Sequence, residues 1–182
     1  MLPDGHLIST KAAKGDGEIF ISEDVLAGII GKNVQWNKKD KILYVGKIPN
    51  AKIMSKEIGD PYQATAIEPI FGTKLSKDEI MIMGNEQFNL GYAFGNTESV
   101  EFNLDGKYEK LKGKLGVEDN TCAEDGIVEV YLDDQLYQTF NVKPKDFPQD
   151  VLLDVEGANK MSIVFKNFRY SSVVNFADVY IR

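Results

Sequence analysis

The acidic loop over residues 119–125 is rich in groups that could bind a metal ion or a sugar hydroxyl. Asp119, Glu124 and Asp125 carry the oxygen ligands that calcium prefers. The same carboxylates can accept hydrogen bonds from the hydroxyls of a sugar. The spacing of these residues is not that of an EF-hand loop. The loop is therefore a candidate calcium site or sugar-binding loop, and the alternative is a solvated turn between strands.

Aromatic and polar residues elsewhere are candidates for sugar recognition, which needs an aromatic face for the ring and directed polar groups for its hydroxyls. Tyr92 and Phe94 lie between two glycines, which could expose their rings; the alternative is that both rings pack in the core. Arg169 and Tyr170 lie in a short tip that could line the same rim. Asn175 lies at the start of the last predicted strand and completes the candidate set.

Few groups in the chain suit catalysis. His6 is the single histidine, which excludes a multi-histidine metal site, and Cys122 is the single cysteine, which excludes an intrachain disulfide. The sequence contains neither of the glycine-rich phosphate-binding motifs G-x-G-x-x-G and G-x-x-x-x-G-K. Glycoside hydrolysis needs two carboxyl groups that face each other across a cleft, and we expect no deep cleft in a sandwich of this size. We therefore expect a protein that is not an enzyme.

Composition and charge exclude several partners. The chain has 182 residues, 43% of them hydrophobic and 27% charged, which is typical of a globular protein with a buried core. Its net charge of −7 disfavours binding to nucleic acid or to an anionic membrane surface. No segment has the length and apolarity of a membrane span, so we expect no membrane insertion.

Hydrophobic periodicity divides the chain into two parts. Residues 1–47 predict a small α+β unit, with a hairpin over 2–9, strands over 18–21, 33–36 and 42–45, and a helix that Ser22 caps. Glycine and proline mark a linker over 48–60. Residues 61–182 are predicted to be mainly β, and the short strands with turns between them indicate a sandwich.

The sandwich strands show clear alternation. Leu111, Gly113, Leu115 and Val117 face one way and three lysines face the other, which is typical of a half-buried strand. The remaining strands are predicted near residues 80–83, 100–104, 127–132, 136–142, 151–155, 161–168 and 173–181. The sequence Asp133-Asp134-Gln135 predicts a turn within one hairpin.

Several motifs over about residues 51–182 resemble the NPCBM family of carbohydrate-binding modules. The matching segments are Val100-Glu101-Phe102-Asn103-Leu104-Asp105-Gly106-Lys107-Tyr108, Leu111-Lys112-Gly113-Lys114-Leu115-Gly116-Val117-Glu118-Asp119, Val130-Tyr131-Leu132-Asp133-Asp134, Asp154-Val155-Glu156-Gly157-Ala158 and Phe176-Ala177-Asp178. The resemblance implies a jelly-roll β-sandwich of the galactose-binding type. Such modules bind sugars beside glycoside hydrolases or in bacterial surface proteins, and some hold a structural calcium ion.

Three positions depart from the family pattern. Phe176 stands where the family usually has tryptophan, Asn175 where an acidic residue is common, and Asp134 where a hairpin glycine is usual. Phenylalanine can still pack in a core, so the fold is expected to survive these changes. The loss of tryptophan would remove a surface for sugar stacking.

A second resemblance covers about residues 1–47. Segments such as Ile19-Phe20-Ile21-Ser22-Glu23-Asp24-Val25-Leu26 and Ile42-Leu43-Tyr44-Val45 are similar to the last half of the copper amine oxidase N-terminal domain, a stalk or surface-attachment module. The resemblance does not imply copper here, because a Cu(II) site needs several nitrogen ligands and His6 is the only imidazole.

Taken together, these features predict a noncatalytic carbohydrate-binding module of a bacterial surface or secreted multidomain protein. Its partner would be a glycan, with galactose-type sugars as candidates, and calcium is the one candidate cofactor. The location follows from the family resemblance alone, since the opening residues 1–5 do not form a signal peptide. The alternative is a structural or protein–protein interaction module that keeps the sandwich fold without a sugar site; a protein at the cell surface would then be the candidate partner.

Overall fold

The computed structural model describes residues 51–169 and 171–182, together with the backbone of four short strands before them. The chain divides into two compact units, Met1–Ala51 and Lys52–Arg182. Within the described part of the chain, no helix is both long enough and apolar enough to cross a lipid bilayer.

The first unit contains two antiparallel strand pairs. Strands β1 (Ala13–Gly15) and β2 (Glu18–Phe20) form one pair, and β3 (Val34–Asn37) and β4 (Ile42–Val45) form the other. Strands β2, β3 and β4 coincide with strands that the sequence predicts. The predicted hairpin over 2–9, the helix that begins at Ser22, and His6 lie outside the described residues.

The second unit is a sandwich of two antiparallel sheets. The strands of the six-stranded sheet are β5 (Lys52–Ile53), β7 (Lys74–Lys77), β10 (Gly91–Gly95), β12 (Lys110–Val117), β15 (Gln149–Asp154) and β17 (Val173–Ile181). Their order is β15-β12-β17-β10-β7, and β5 pairs with the end of β17. The predicted fold class, a mainly β sandwich, is confirmed.

The second sheet has five strands. They are β6 (Gln63–Ala66), β11 (Thr97–Asn103), β13 (Gly126–Leu132), β14 (Gln135–Val142) and β16 (Lys160–Lys166), in the order β14-β13-β16-β11-β6. Asp133 and Asp134, both with positive φ, make the β13–β14 turn that the sequence predicts. Asp134 therefore adopts the backbone conformation for which glycine is usual.

The core lies between the two sheets and follows the alternation of the strands. Leu111, Leu115 and Val117 of β12 are buried, while the lysines between them are partly exposed. Gly113 interrupts this row, because a Cβ added there would lie 2.7 Å from the Phe176 ring. Glycine at position 113 thus makes room for a buried aromatic ring on the neighbouring strand.

A small hairpin covers the outer face of the six-stranded sheet. Its strands are β8 (Met81–Met83) and β9 (Glu86–Phe88), which pair antiparallel. Met81, Met83 and Phe88 form a second apolar cluster with Ala177, which lies on the outer face of β17. The apolar run predicted near residue 81 is therefore buried against a sheet face and not within the main core.

Residues 52–57 belong to the second unit, although they fall within the predicted linker over 48–60. After β5, one helical turn, α1 (Met54–Glu57), places Met54 in the main core with no exposed surface. The Ser55 hydroxyl donates to the Asp78 carboxylate at 2.7 Å, and that carboxylate also accepts from the Gly91 backbone nitrogen at 3.0 Å. A 310-helix, Pro69–Phe71, lies in the connection between β6 and β7.

Candidate functional site

Several connections meet at one end of the sandwich, among them the β6–β7 connection, since Ala66 pairs with Thr97 and Lys74 with Gly95. The pairing of Gly126 with Val142, and of Ile127 with Lys166, brings the start of β13 beside the ends of β14 and β16. The last residue of β12, Val117, pairs with β17 near its start. The loops over 118–125, 143–148 and 167–172 therefore share this end, which we call the loop end.

The tip of the β8–β9 hairpin reaches the loop end and is held there by Asp119. The Asp119 carboxylate accepts hydrogen bonds from the backbone nitrogens of Gly84 at 2.9 Å and Asn85 at 2.8 Å. The Asp119 nitrogen donates to the Ile82 carbonyl at 2.8 Å. Hydrogen bonds to a carboxylate are stronger than those between neutral groups, so these contacts fix the tip in position.

Glu118 binds the same hairpin at Ile82, two residues before the tip glycine. Its Oε2 accepts from the backbone nitrogen of Ile82 at 3.0 Å and from Asn175 Nδ2 at 2.8 Å. Adjacent acidic residues at the end of β12 thus bind two parts of one hairpin through separate carboxylates. Both side chains are partly exposed.

Phe147 is the exposed aromatic residue beside this tip, and the sequence analysis missed it. Its side chain is 73% exposed. A Cβ added at Gly84 would lie 2.8 Å from the Phe147 Cα, so only glycine lets the two backbones approach this closely. A signal was present in the sequence: Phe147 is a lone aromatic residue between Asp146 and Pro148, outside any alternating strand pattern.

Arg169, a candidate sugar-binding residue in the sequence analysis, lies in the 167–172 loop at the loop end, and its guanidinium group has a partner there. Arg169 Nη2 lies 2.7 Å from Glu124 Oε1, and both side chains are more than half exposed. The preceding residue, Phe168, is buried and anchors this loop in the core. Gly126 makes room for it, since a Cβ there would lie 2.1 Å from the Phe168 ring.

The three carboxylates predicted as calcium ligands are engaged separately. Asp119 binds the hairpin tip, Glu124 pairs with Arg169, and Asp125 lies 3.5 Å from Lys143. Among the described residues, no group of three or more histidine, cysteine, aspartate or glutamate side chains is arranged to hold a metal ion. The structure therefore does not assemble these residues into one metal site.

Tyr92 and Phe94, predicted as candidate stacking residues, are core residues instead. Each is only 2% exposed, and their rings stack on each other with centroids 5.8 Å apart. The Tyr92 hydroxyl donates to the Gly59 carbonyl at 2.6 Å, and burial raises the pKa of this hydroxyl. Neither ring offers a face to a sugar, because both side chains point from β10 into the core. The flanking glycines do not expose them.

Asn175 is fully buried on the outer face of β17 and binds Glu118, so it has no direct access to a ligand. Its Oδ1 finds no hydrogen-bond partner among the residues that the structure describes. Tyr170 is outside the described residues.

A comparison with protein-family models identifies the sandwich. The model of the NPCBM/NEW2 domain matches residues 53–179, which is more than half of the chain. The chain belongs to the NPCBM/NEW2 domain family. This match confirms the resemblance over the second unit, and it does not extend to residues 1–47.

Solved structures similar to this NPCBM/NEW2 domain are carbohydrate-binding modules. The CBM51 module of Clostridium perfringens GH95, solved in complex with methyl-galactose, is 16% identical with a TM-score of 0.58, over 73% of this chain and 100% of that one. The structure of CBM51-2 with GlcNAc and the INT domains of C. perfringens ZmpB is 15% identical, with a TM-score of 0.59. The match covers 82% of this chain and 36% of that one.

The tandem CBM51 modules of Sp3GH98 from Streptococcus pneumoniae are 12% identical with a TM-score of 0.59, over 97% of this chain and 52% of that one. The chain thus spans about a third of the length of the ZmpB structure and about half of the length of the Sp3GH98 structure. At these identities the likeness establishes the fold alone. No curated protein matches the sequence.

The departures of this NPCBM/NEW2 domain from the family pattern now have physical explanations. Phe176 is 1% exposed in the main core, so the change from tryptophan alters packing and removes no exposed stacking surface. Asn175 donates its amide proton to Glu118, which a carboxylate at this position could not do. The sequence hypothesis that the missing tryptophan weakens sugar stacking is therefore not supported at this position.

Proposed function

We propose that this module binds a glycan without catalysis, at the loop end, with the ring of Phe147 against the sugar. The observation that carries the proposal is the exposed Phe147 ring beside a hairpin tip that the Asp119 carboxylate fixes. An exposed aromatic ring covers the C–H face of a sugar, and a fixed neighbouring loop presents polar groups at constant positions.

The polar groups for this site come from both sides of Asp119. Asn85 and Asn120 are exposed, and Asn85 follows the glycine against which Phe147 packs. Amide side chains both donate and accept hydrogen bonds, which suits the hydroxyls of a neutral sugar. Arg169 lies across the 118–125 loop and can reach a second sugar unit if it leaves Glu124, since their exposed ion pair is weak.

We propose binding without catalysis because the acidic side chains at the loop end already bind other protein groups. Glu118 and Asp119 are both occupied with backbone nitrogens of the β8–β9 hairpin. A glycosidase instead needs two carboxyl groups free to face each other across a substrate.

Galactose-type sugars are the first candidates for the ligand, because one neighbour with the same fold was solved with methyl-galactose. N-acetylglucosamine is the second candidate, from the neighbour solved with GlcNAc. The neighbours come from bacterial multidomain proteins, which supports a secreted or surface location here. For residues 1–47 we keep the proposal of a stalk unit similar to the copper amine oxidase N-terminal domain.

The test is calorimetric titration of the full chain with methyl galactoside and N-acetylglucosamine, after a glycan-array screen. We expect Phe147→Ala to weaken binding about 3–10-fold, the usual value of one aromatic contact. Leu152→Ala is the control, because it removes an exposed apolar side chain from β15, where Leu152 pairs with Lys112, away from the loop end. Binding that survives Phe147→Ala unchanged would contradict the proposed site.

A protein-interaction module is the second candidate function. The observation that favours it is an exposed apolar group in the β6–β7 connection, where Ile70 is 85% and Phe71 is 56% exposed. Large exposed apolar side chains that lie together are typical of protein interfaces. A folded chain that binds no glycan on the array would favour this function over sugar binding.

A further inference from the structure

The outer face of the five-stranded sheet carries a row of polar and aromatic side chains that the loop-end site does not use. Ser162 on the central strand β16 pairs in register with Glu101 of β11 on one side and Tyr131 of β13 on the other. Their sequence neighbours Val100, Met161 and Val130 face the core, so alternation points these three side chains outward. Tyr62 extends the row, since its hydroxyl donates to Glu101 Oε2.

Ser162 is the unsatisfied member of this row. It is 8% exposed, and among the described residues its buried Oγ has no hydrogen-bond partner. Leaving a buried hydroxyl unpaired costs about 1–3 kcal/mol, which a folded protein usually avoids. The flanking polar groups do not relieve it, because Glu101 binds Tyr62 and the Tyr131 hydroxyl donates to Glu129 at 2.5 Å.

Charges on this face compensate each other. Lys160 lies 2.6 Å from Asp134 and 3.7 Å from Glu101, and Lys166 lies 2.8 Å from Glu129. These two lysines and three carboxylates leave an excess of only one negative charge near the row. The face suits a neutral ligand with many hydroxyls better than an anionic glycan or a charged peptide.

We propose that this row is a second glycan-binding site, which takes a neutral oligosaccharide across the strands. Tyr62 and Tyr131 supply aromatic surface at the two ends, separated by three strand spacings, or about 14 Å. A ligand hydroxyl replaces the Tyr62 hydroxyl on Glu101, and the movement of Glu101 opens Ser162 Oγ to a second ligand hydroxyl. Tyr62 is 58% exposed, so its ring can move to cover the sugar. The span requires a chain of sugars and not a single ring.

The test is titration of the full chain with neutral β-linked gluco-, xylo- and galacto-oligosaccharides of increasing length, beside the corresponding monosaccharides. We expect affinity to rise with length. Tyr131→Ala and Tyr62→Ala should each weaken oligosaccharide binding about 3–10-fold and leave monosaccharide binding unchanged. Ser162→Ala removes only the hydroxyl and adds no bulk at this buried position, and should weaken oligosaccharide binding without lowering Tm. Thr139→Ala, on the same face but outside the row, is the matched control.

The outcomes separate the two sites. Oligosaccharide binding that is unchanged in Tyr131→Ala, Tyr62→Ala and Ser162→Ala would overturn the second site, whatever Phe147→Ala does. Loss of monosaccharide binding in Phe147→Ala, with length-dependent binding retained, would support both sites. Loss of oligosaccharide binding in Tyr131→Ala, with Phe147→Ala equal to the unchanged chain, would support the second site and contradict the loop-end proposal.

Discussion

The carboxylate of Asp119 holds the backbone of Gly84, with Oδ1 2.9 Å from the Gly84 nitrogen. The other oxygen, Oδ2, lies 2.8 Å from the nitrogen of Asn85, so one side chain binds two successive residues of the hairpin tip. Phe147 packs against the same glycine. Asp119 therefore links the acidic loop to the exposed aromatic ring through a tip that it keeps in place.

Removal of this carboxylate should release the tip. We expect Asp119→Ala to lower the free energy of unfolding by about 1.5–3 kcal/mol, because hydrogen bonds to a charged group are lost and backbone nitrogens are left without an acceptor. Urea denaturation would measure the change. Asp125→Ala is the control, with an effect within about 0.5 kcal/mol, since Asp125 forms an exposed ion pair with Lys143 at 3.5 Å and exposed pairs contribute little. Equal effects for the two variants would contradict the role of Asp119.

Calcium should have little influence on stability. Asp119, Glu124 and Asp125 each have a different partner, so they do not present a shared set of oxygen ligands. We expect the same Tm in calcium chloride and in chelator. A calcium ion present at 100 times its Kd would stabilise the fold by about 2.7 kcal/mol, and a rise of several degrees would therefore reveal a site.

Gly126 should tolerate no side chain while Phe168 is present. A Cβ there would lie 2.1 Å from the Phe168 ring, so Gly126→Ala is expected to cost about 1–3 kcal/mol through overpacking. The double variant Gly126→Ala with Phe168→Ala should lose less stability than the sum of the single variants, because the second change removes the clash. Strict additivity in urea denaturation would show that the contact is not the cause.

Asp178 should make stability depend on pH in the acid range. Burial raises its pKa above 3.8, and nearby Lys112 and Lys114 offset this only in part. Because folding raises the pKa of this carboxyl, its ionised form destabilises the folded state. The destabilisation is absent below about pH 3.8, where the carboxyl is protonated in both states. It grows as the pH rises towards the folded pKa and is fully present above it. Asp178→Asn should therefore raise Tm at pH 7, and the gain should vanish near pH 3. Asparagine suits the positive φ of 48° at this position as well as aspartate does.

The sandwich could be predicted from the sequence because its strands bury one face each. The alternation of Leu111, Leu115 and Val117 with lysines predicts β12 correctly, and the turn at Asp133 and Asp134 is found where expected. Local pattern carries this information, since period-two burial is a property of each strand alone.

The candidate site was harder to predict, because exposure at a loop depends on contacts distant in sequence. Tyr92 and Phe94 resemble exposed rings between glycines, but Gly91 is required by the close approach of the Phe176 carbonyl, 2.2 Å from an added Cβ. Phe147 gave only a weak local signal, and its position beside Gly84 depends on residues 63 positions apart in the chain. No periodicity reports such a contact.

The position of β17 has a consequence for how the protein is made. This last strand, Val173–Ile181, pairs with β12, β10 and β5, and so completes the middle of the six-stranded sheet. During synthesis the strands that precede it leave the ribosome with a gap between them and with unpaired edges. The sheet can close only after residue 181 has emerged, so its folding depends on contacts between distant parts of the chain. Until then the unpaired strand edges of the nascent chain are exposed to aggregation and proteolysis.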